Sequence, residues 1–204
     1  MKQMISVALL STIATLFLSF TSLGQVAGKN ELNARIVSDG MILVGDQSDD
    51  SQVGPYFGGS IGYGLGYGVT LYVESGFGWT NYDSKDGLRL AQIPVLGGVT
   101  YNFGDLLGST IVQPYVGASA GIANYFLQQD WNTISIGASE QKTTNFAVEG
   151  LVGVNFRIPD SPVTIDIRAK YDHVFSDRDR GVGLESHEWN NVGVGGGISY
   201  NFSL

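Results

Sequence analysis

Beyond residue 24, apolar and polar residues alternate with a period of two along much of the chain, the spacing of a strand with one apolar face. Val69, Leu71, Val73, Phe77 and Trp79 share one face, and Thr70, Tyr72, Glu74, Gly76, Gly78 and Thr80 the other. Phe146, Val148, Val152, Val154, Phe156 and Ile158 oppose Asn145, Glu149, Asn155 and Arg157 in the same way. Val163, Ile165, Ile167, Ala169 and Tyr171 alternate with Thr164, Asp166, Arg168, Lys170 and Asp172. In the last stretch, Val192, Val194, Ile198, Tyr200 and Phe202 alternate with Asn191, Gly193, Gly195, Gly197, Ser199 and Asn201. With four fainter stretches, the first interrupted by Asp39 and Gly40, eight strands are predicted: about 31–45, 55–65, 69–82, 88–103, 111–127, 143–158, 163–175 and 189–203.

The links alternate in length. Gly66–Gly68, Gly104–Thr110 and Pro159–Pro162 are short, whereas Asp46–Gly54, Gln128–Lys142 and Ser176–Glu188 are long and polar, and Asp83–Gly87 falls on the long side by position only. An even number of strands joined this way predicts an all-β fold: an eight-stranded antiparallel, up-and-down transmembrane β-barrel with short periplasmic turns and longer extracellular loops. Residues 25–204 then form one domain.

Charge placement separates this reading from a soluble barrel. The four clear strands carry Glu74, Glu149, Arg157, Asp166, Arg168, Lys170 and Asp172, all on the polar face. A basic or acidic side chain on a lipid-facing surface costs up to about 2–4 kcal/mol at mid-depth, so a membrane barrel excludes it. Aromatic residues group at strand ends. Phe57, Trp79, Phe126, Phe146 and Phe175 fall toward the long loops; Tyr63, Tyr101, Phe103, Phe156, Tyr200 and Phe202 fall toward the short turns. Phe146 and Phe156 share a face, and their spacing spans about 25 Å along a strand tilted in a barrel. Two aromatic belts at the membrane interfaces are therefore expected. Trp189 has inward parity, and a loop edge or a bulge is expected there.

Composition narrows the picture. Lys2 precedes an apolar run from Ile5 to Phe20, followed by Ser22-Leu23-Gly24. At about 16 residues this run is too short to span a bilayer, so residues 1–24 read as a cleaved secretory signal peptide. The chain has no Cys, which excludes thiol chemistry and zinc ribbons, and its net charge of -8 excludes a nucleic-acid binder. Eleven acidic and four basic residues lie in the four longer links, which places most of the charge outside. Asp46, Asp49 and Asp50 are the candidates for cation-bridged contact with lipopolysaccharide phosphates or a host surface, although their spacing matches no calcium loop. No cofactor or metal is expected.

The chain ends Gly197-Ile198-Ser199-Tyr200-Asn201-Phe202. This resembles the G-x-x-aromatic-x-aromatic terminal strand of outer-membrane proteins, with Ser203 and Leu204 beyond the usual terminal Phe. Gly54-Pro55-Tyr56-Phe57-Gly58-Gly59, Gly76-Phe77-Gly78-Trp79 and Val112-Gln113-Pro114-Tyr115-Val116-Gly117-Ala118 resemble the outer membrane protein beta-barrel domain family of small OmpA-type and OmpX-type barrels. The resemblance implies residence in the outer membrane and insertion machinery that reads Gly197, Tyr200 and Phe202. Expected partners are outer-membrane lipid and lipopolysaccharide, with periplasmic chaperones during assembly, and the barrel is expected to be a monomer.

Eight strands leave a lumen that side chains fill. Inward Gly76, Gly78, Gly117, Gly121, Gly153, Gly193, Gly195 and Gly197 make room for Tyr72, Tyr115, Arg157, Arg168 and Lys170. Since buried charges need partners, an ion network among Glu74, Glu149, Arg168 and Lys170 is expected to plug a polar lumen. The two His are poor catalytic candidates. His173 faces outward, His187 lies beside Glu185 and Glu188, and Tyr171-Asp172-His173-Val174-Phe175-Ser176 lacks the His-x-Ser-Asn of lipid A deacylase barrels. The expected function is a structural or surface-interaction barrel, not an enzyme. A narrow porin-like pore is the alternative, and a soluble ligand-binding barrel a distant third.

Overall fold

The computed structural model describes residues 30–44, 51–83, 87–104, 106–136, 139–140, 142–175 and 189–203. The expected signal peptide, Asp46, Asp49, Asp50 and His187 lie outside them. Eight long strands carry the fold: β1 (Glu31–Val44), β2 (Gly54–Gly66), β3 (Val69–Asn81), β4 (Leu88–Asn102), β5 (Val112–Gln129), β6 (Lys142–Arg157), β7 (Val163–Phe175) and β8 (Trp189–Ser203). Each pairs antiparallel with its sequence neighbours. The last meets the first, from Glu31 opposite Ser203 to Val44 opposite Asn190. The sheet therefore closes on itself as an eight-stranded up-and-down barrel with no free edge. Beyond β5, the chain turns back as Asn132–Thr133, which pairs with Gln128 and Gln129.

The short turns follow from local chemistry. Tyr67 and Gly68 both have positive φ between β2 and β3, and Asp160 does so between Pro159 and Pro162. Tight two-residue hairpins need such left-handed residues to match the strand twist. Trp189, expected at a loop edge or a bulge, stands at the loop edge as the first residue of β8, in regular register opposite Val174.

Alternation becomes inside and outside. Residues of one parity are buried and point into the lumen; those of the other form an apolar outer wall on which Ile36, Ile61, Val194 and Ile198 are each at least 60% exposed. An uninterrupted apolar wall of this extent is what lipid contact requires and what a soluble barrel avoids. Among the described strand residues with outward parity, the Lys and Arg are Arg89 and Lys142, both at the long-loop end, and no Asp or Glu has that parity.

Aromatic rings pair on this wall. Phe146 and Phe175 lie 5.7 Å apart and Phe57 and Trp79 6.5 Å apart toward the long loops. Tyr101 and Phe103 lie 4.9 Å apart, and Tyr200 and Phe202 4.6 Å apart, toward the short turns. Phe126 stands opposite Lys142 and Ala91, Tyr63 opposite Leu32 and Leu71, and Phe156 opposite Ile165 and Val112.

Candidate functional site

The lumen is the part of the molecule where polar chemistry concentrates, and it is layered along the barrel axis. Its middle is an ion network centred on Arg168 of β7. The guanidinium donates to both Asp39 carboxylate oxygens at 3.2 and 2.7 Å and to both Glu74 oxygens at 2.7 and 2.8 Å. Two bidentate pairs use the planar fork that distinguishes Arg from Lys. Lys170, one inward step further along β7, lies 3.3 Å from Glu149, 3.8 Å from Asp172 and 4.0 Å from Asp39, so one ammonium serves three carboxylates. Its Nζ also sits 4.2 Å from the centre of the Tyr56 ring. Hydroxyls add to the network: Tyr56 donates to Glu74 at 3.3 Å, and Ser119 and Tyr72 donate to Glu149 at 3.1 and 3.4 Å, while the buried Oδ1 of Asp172 has no hydrogen-bond partner among the described residues.

Glycine makes this density possible. A Cβ on Gly195 would come within 2.2 Å of the Ser38 carbonyl and 2.4 Å of the Asp39 carboxylate, so β8 approaches the Asp39 side chain only without one. Gly76 likewise lies under the Tyr56 hydroxyl, where a Cβ would sit 2.5 Å away.

Toward the short turns the lumen opens into a polar vestibule of about 70 Å³, lined by Asn33, Thr70, Asn102, Gln113, Asn155 and Asn201 among others. Two looser ion pairs lie on its walls, Arg35 with Asp166 and Arg157 with Glu31, each at 3.6 Å. Tyr115 fixes Asp166 by donating to it at 2.7 Å. A smaller space of about 20 Å³ continues from the vestibule to Glu74 and Arg168. Spaces of this size and polarity hold water.

Toward the long loops the lumen is mostly apolar, with buried Thr80, Gln92, Asn145 and Asn191 interspersed. Leu43, Leu90, Leu96, Ala123, Tyr125, Ala147 and Val174 form one buried cluster, with Tyr82 and Leu127 packed against it. A polar lumen is expected from the sequence, and this cluster adds an apolar part to it. The interspersed polar residues are uncharged, and the Asn191 amide donates to Gln92 at 3.4 Å and to the Tyr125 hydroxyl at 3.5 Å.

The seven charged residues expected in the lumen do not form one group. Glu74, Glu149, Arg168, Lys170 and Asp172 meet in the middle network, Asp166 pairs with Arg35, and Arg157 stands apart with Glu31. Sequence reasoning missed Asp39, Arg35 and Tyr56. Asp39 shares parity with Val37, Met41 and Leu43, all buried. That parity is the signal that would have turned it inward.

Among the described residues no group of three or more His, Cys, Asp or Glu is arranged to hold a metal ion. His173 sits on the outer wall, its Nδ1 2.7 Å from Asn190 Oδ1 and its ring edge-on to Phe175 at 4.4 Å.

A closed eight-stranded barrel with an apolar outer wall and an ion-filled lumen defines the class: the chain has the fold of the small outer-membrane barrels. No protein-family model and no curated protein sequence matches it. Solved structures do. The chain is similar to Neisserial surface protein A, with a TM-score of 0.62 and 14% identity over 84% of this chain and 97% of that one. It is similar to OprG, an outer membrane protein of Pseudomonas aeruginosa, with a TM-score of 0.52 and 12% identity over 86% and 97%. Ail, the attachment invasion locus protein of Yersinia pestis, gives a TM-score of 0.51 and 11% identity over 85% and 99%. At these identities the likeness is one of fold.

Proposed function

We propose that the protein is an integral outer-membrane barrel with a structural or surface-interaction role, exported by a cleaved signal peptide and carrying a lumen closed to solutes. Its partners on this reading are outer-membrane lipid and lipopolysaccharide, with chaperones and insertion machinery during assembly, and it works as a monomer without catalysis. The observation that carries the reading is the stacking of two different seals in one lumen. A permeating ion would have to displace the Arg168 pairs, which are desolvated and bidentate, and then pass a close-packed, mostly apolar layer in which the amides of Gln92 and Asn191 are already hydrogen-bonded to each other. The outer wall favours the membrane over a soluble ligand-binding barrel, because many of its apolar residues stay exposed among the described residues.

A narrow pore remains the second reading, because the vestibule already admits water to the Glu74–Arg168 level from one end. The chain has no Cys, so single-cysteine variants give an unambiguous answer. In oriented vesicles, Thr70→Cys in the vestibule is expected to react with a charged thiol reagent from the short-turn side alone. Ala123→Cys in the apolar cluster is expected to react from neither side. Reaction of Ala123→Cys from the long-loop side would replace the closed barrel with the pore. Outer-membrane fractionation and heat-modifiable migration test the location, and recovery from the soluble periplasm would overturn it.

A further inference from the structure

One patch of the outer wall departs from the pattern that governs the rest. Arg89 and Ala91 have outward parity, yet Ala91 is fully buried and Arg89 only 9% exposed. The tip of the β5 hairpin lies over this patch. The chain turns at Asp130 and Trp131, whose φ angles are 49° and 70°. A bulky residue in that region costs about 1–3 kcal/mol and persists only where its surroundings hold it. The Asp130 amide donates to the Gly87 carbonyl at 3.1 Å, and the Trp131 indole packs edge-on to Trp79 at 5.4 Å. Trp79 continues the row to Phe77 at 5.6 Å and Phe57 at 6.5 Å.

The Arg89 guanidinium lies 3.6 Å from the centre of the Trp131 ring. Stacking uses the face of the guanidinium and leaves its in-plane N–H groups for an acceptor. Among the described residues no carboxylate lies within ion-pair distance of Arg89, and its buried Nε has no hydrogen-bond partner. The nearby Asp130 carboxylate is turned against Gly87, where a Cβ would come within 2.3 Å of it. A strained turn thus holds a mostly desolvated cation at the long-loop end of an apolar wall, beside a row of rings in which Trp131 and Phe57 are exposed and Trp79 and Phe77 half-buried. Lys142 adds a second cation on the same face, across Phe126 from Ala91.

We infer that Arg89, Trp131 and Trp79 form a binding site for the phosphate group of an outer-leaflet glycolipid. The guanidinium edge pairs with the phosphate as a charge-assisted, two-point contact. The aromatic row beneath packs the lipid's apolar part as it runs down the wall. This assignment rests on the outer-membrane reading above and names one partner for it.

The test uses the full mature barrel in phosphatidylcholine vesicles, titrated with diphosphorylated lipid A or its dephosphorylated form, with bound lipid counted by native mass spectrometry. The wild type is expected to bind the phosphorylated lipid about tenfold more tightly than the dephosphorylated one, as a charge-assisted contact implies. Arg89→Gln should abolish that preference while still migrating as a folded barrel, Arg89→Lys should retain part of it, and Trp131→Ala should weaken it. An unchanged preference in Arg89→Gln would overturn the site. So would complete displacement of the lipid by millimolar inorganic phosphate, which would make the site one for free anions. Failure of the wild-type barrel to insert into vesicles would overturn the outer-membrane reading, and this site with it.

Discussion

Replacing Arg168 with Met is expected to destabilise the barrel by about 3–5 kcal/mol, read as the shift in reversible urea unfolding in vesicles. The substitution fills a similar volume but strips Asp39 and Glu74 of the guanidinium that binds each of them bidentately. Two carboxylates then remain in a desolvated lumen. Lys170 cannot replace the guanidinium, because it stands 4.0 Å from Asp39 and already serves Glu149 and Asp172. Most of the loss therefore reflects uncompensated charge and not lost packing. It follows that adding Asp39→Asn and Glu74→Gln to Arg168→Met should recover much of the stability, since neutralising a whole buried set is often tolerated. No recovery in the triple variant would mean that the network matters for shape rather than charge balance.

Ile167→Arg is expected to cost about 2–4 kcal/mol in the same assay. Ile167 faces outward, flanked on the wall by Val154 and Gly196, and is 57% exposed in the isolated chain. On a soluble barrel a charge at so exposed a position would cost almost nothing. At mid-depth in a bilayer it must be dehydrated or drag water inward. The two environments thus give opposite expectations for one substitution. A change below about 0.5 kcal/mol, the usual range for a surface site in water, would contradict a lipid-facing wall.

Strand alternation carried most of the fold, because each residue of β3, β6, β7 and β8 has one neighbour that is water-like and another that is oil-like. The contrast fades where both sides are apolar. In β1, Ile36 and Ile42 face out while Val37, Met41 and Leu43 face in, so the strand shows little alternation and Asp39 reads as an interruption. That residue proves to form one of the two bidentate pairs of Arg168. The same loss of contrast hid the apolar cluster, which draws Leu90 and Leu96 from β4 and Ala123 and Tyr125 from β5. Gly at inward positions, paired in the sequence with inward Tyr, was the clearest sign of close packing. Tyr56 over Gly76 shows why, since only a side chain without a Cβ leaves room for the ring.

Trp131 lay beyond sequence reasoning for a different reason. Its backbone sits in a region that Trp disfavours, and the contacts that hold it there come from β3 and the start of β4. Local propensity cannot anticipate a conformation fixed by residues about forty or more positions away. Its consequence, a covered Arg on the outer wall, is visible only once the strands are closed.

Planar-bilayer recording on purified monomeric barrel tests the closed lumen most directly. The apolar cluster and the Arg168 network in series should leave the bilayer at its baseline conductance across the range of voltages that intact bilayers withstand. Steady, ion-selective unitary currents from the monomer would contradict the account and establish a pore.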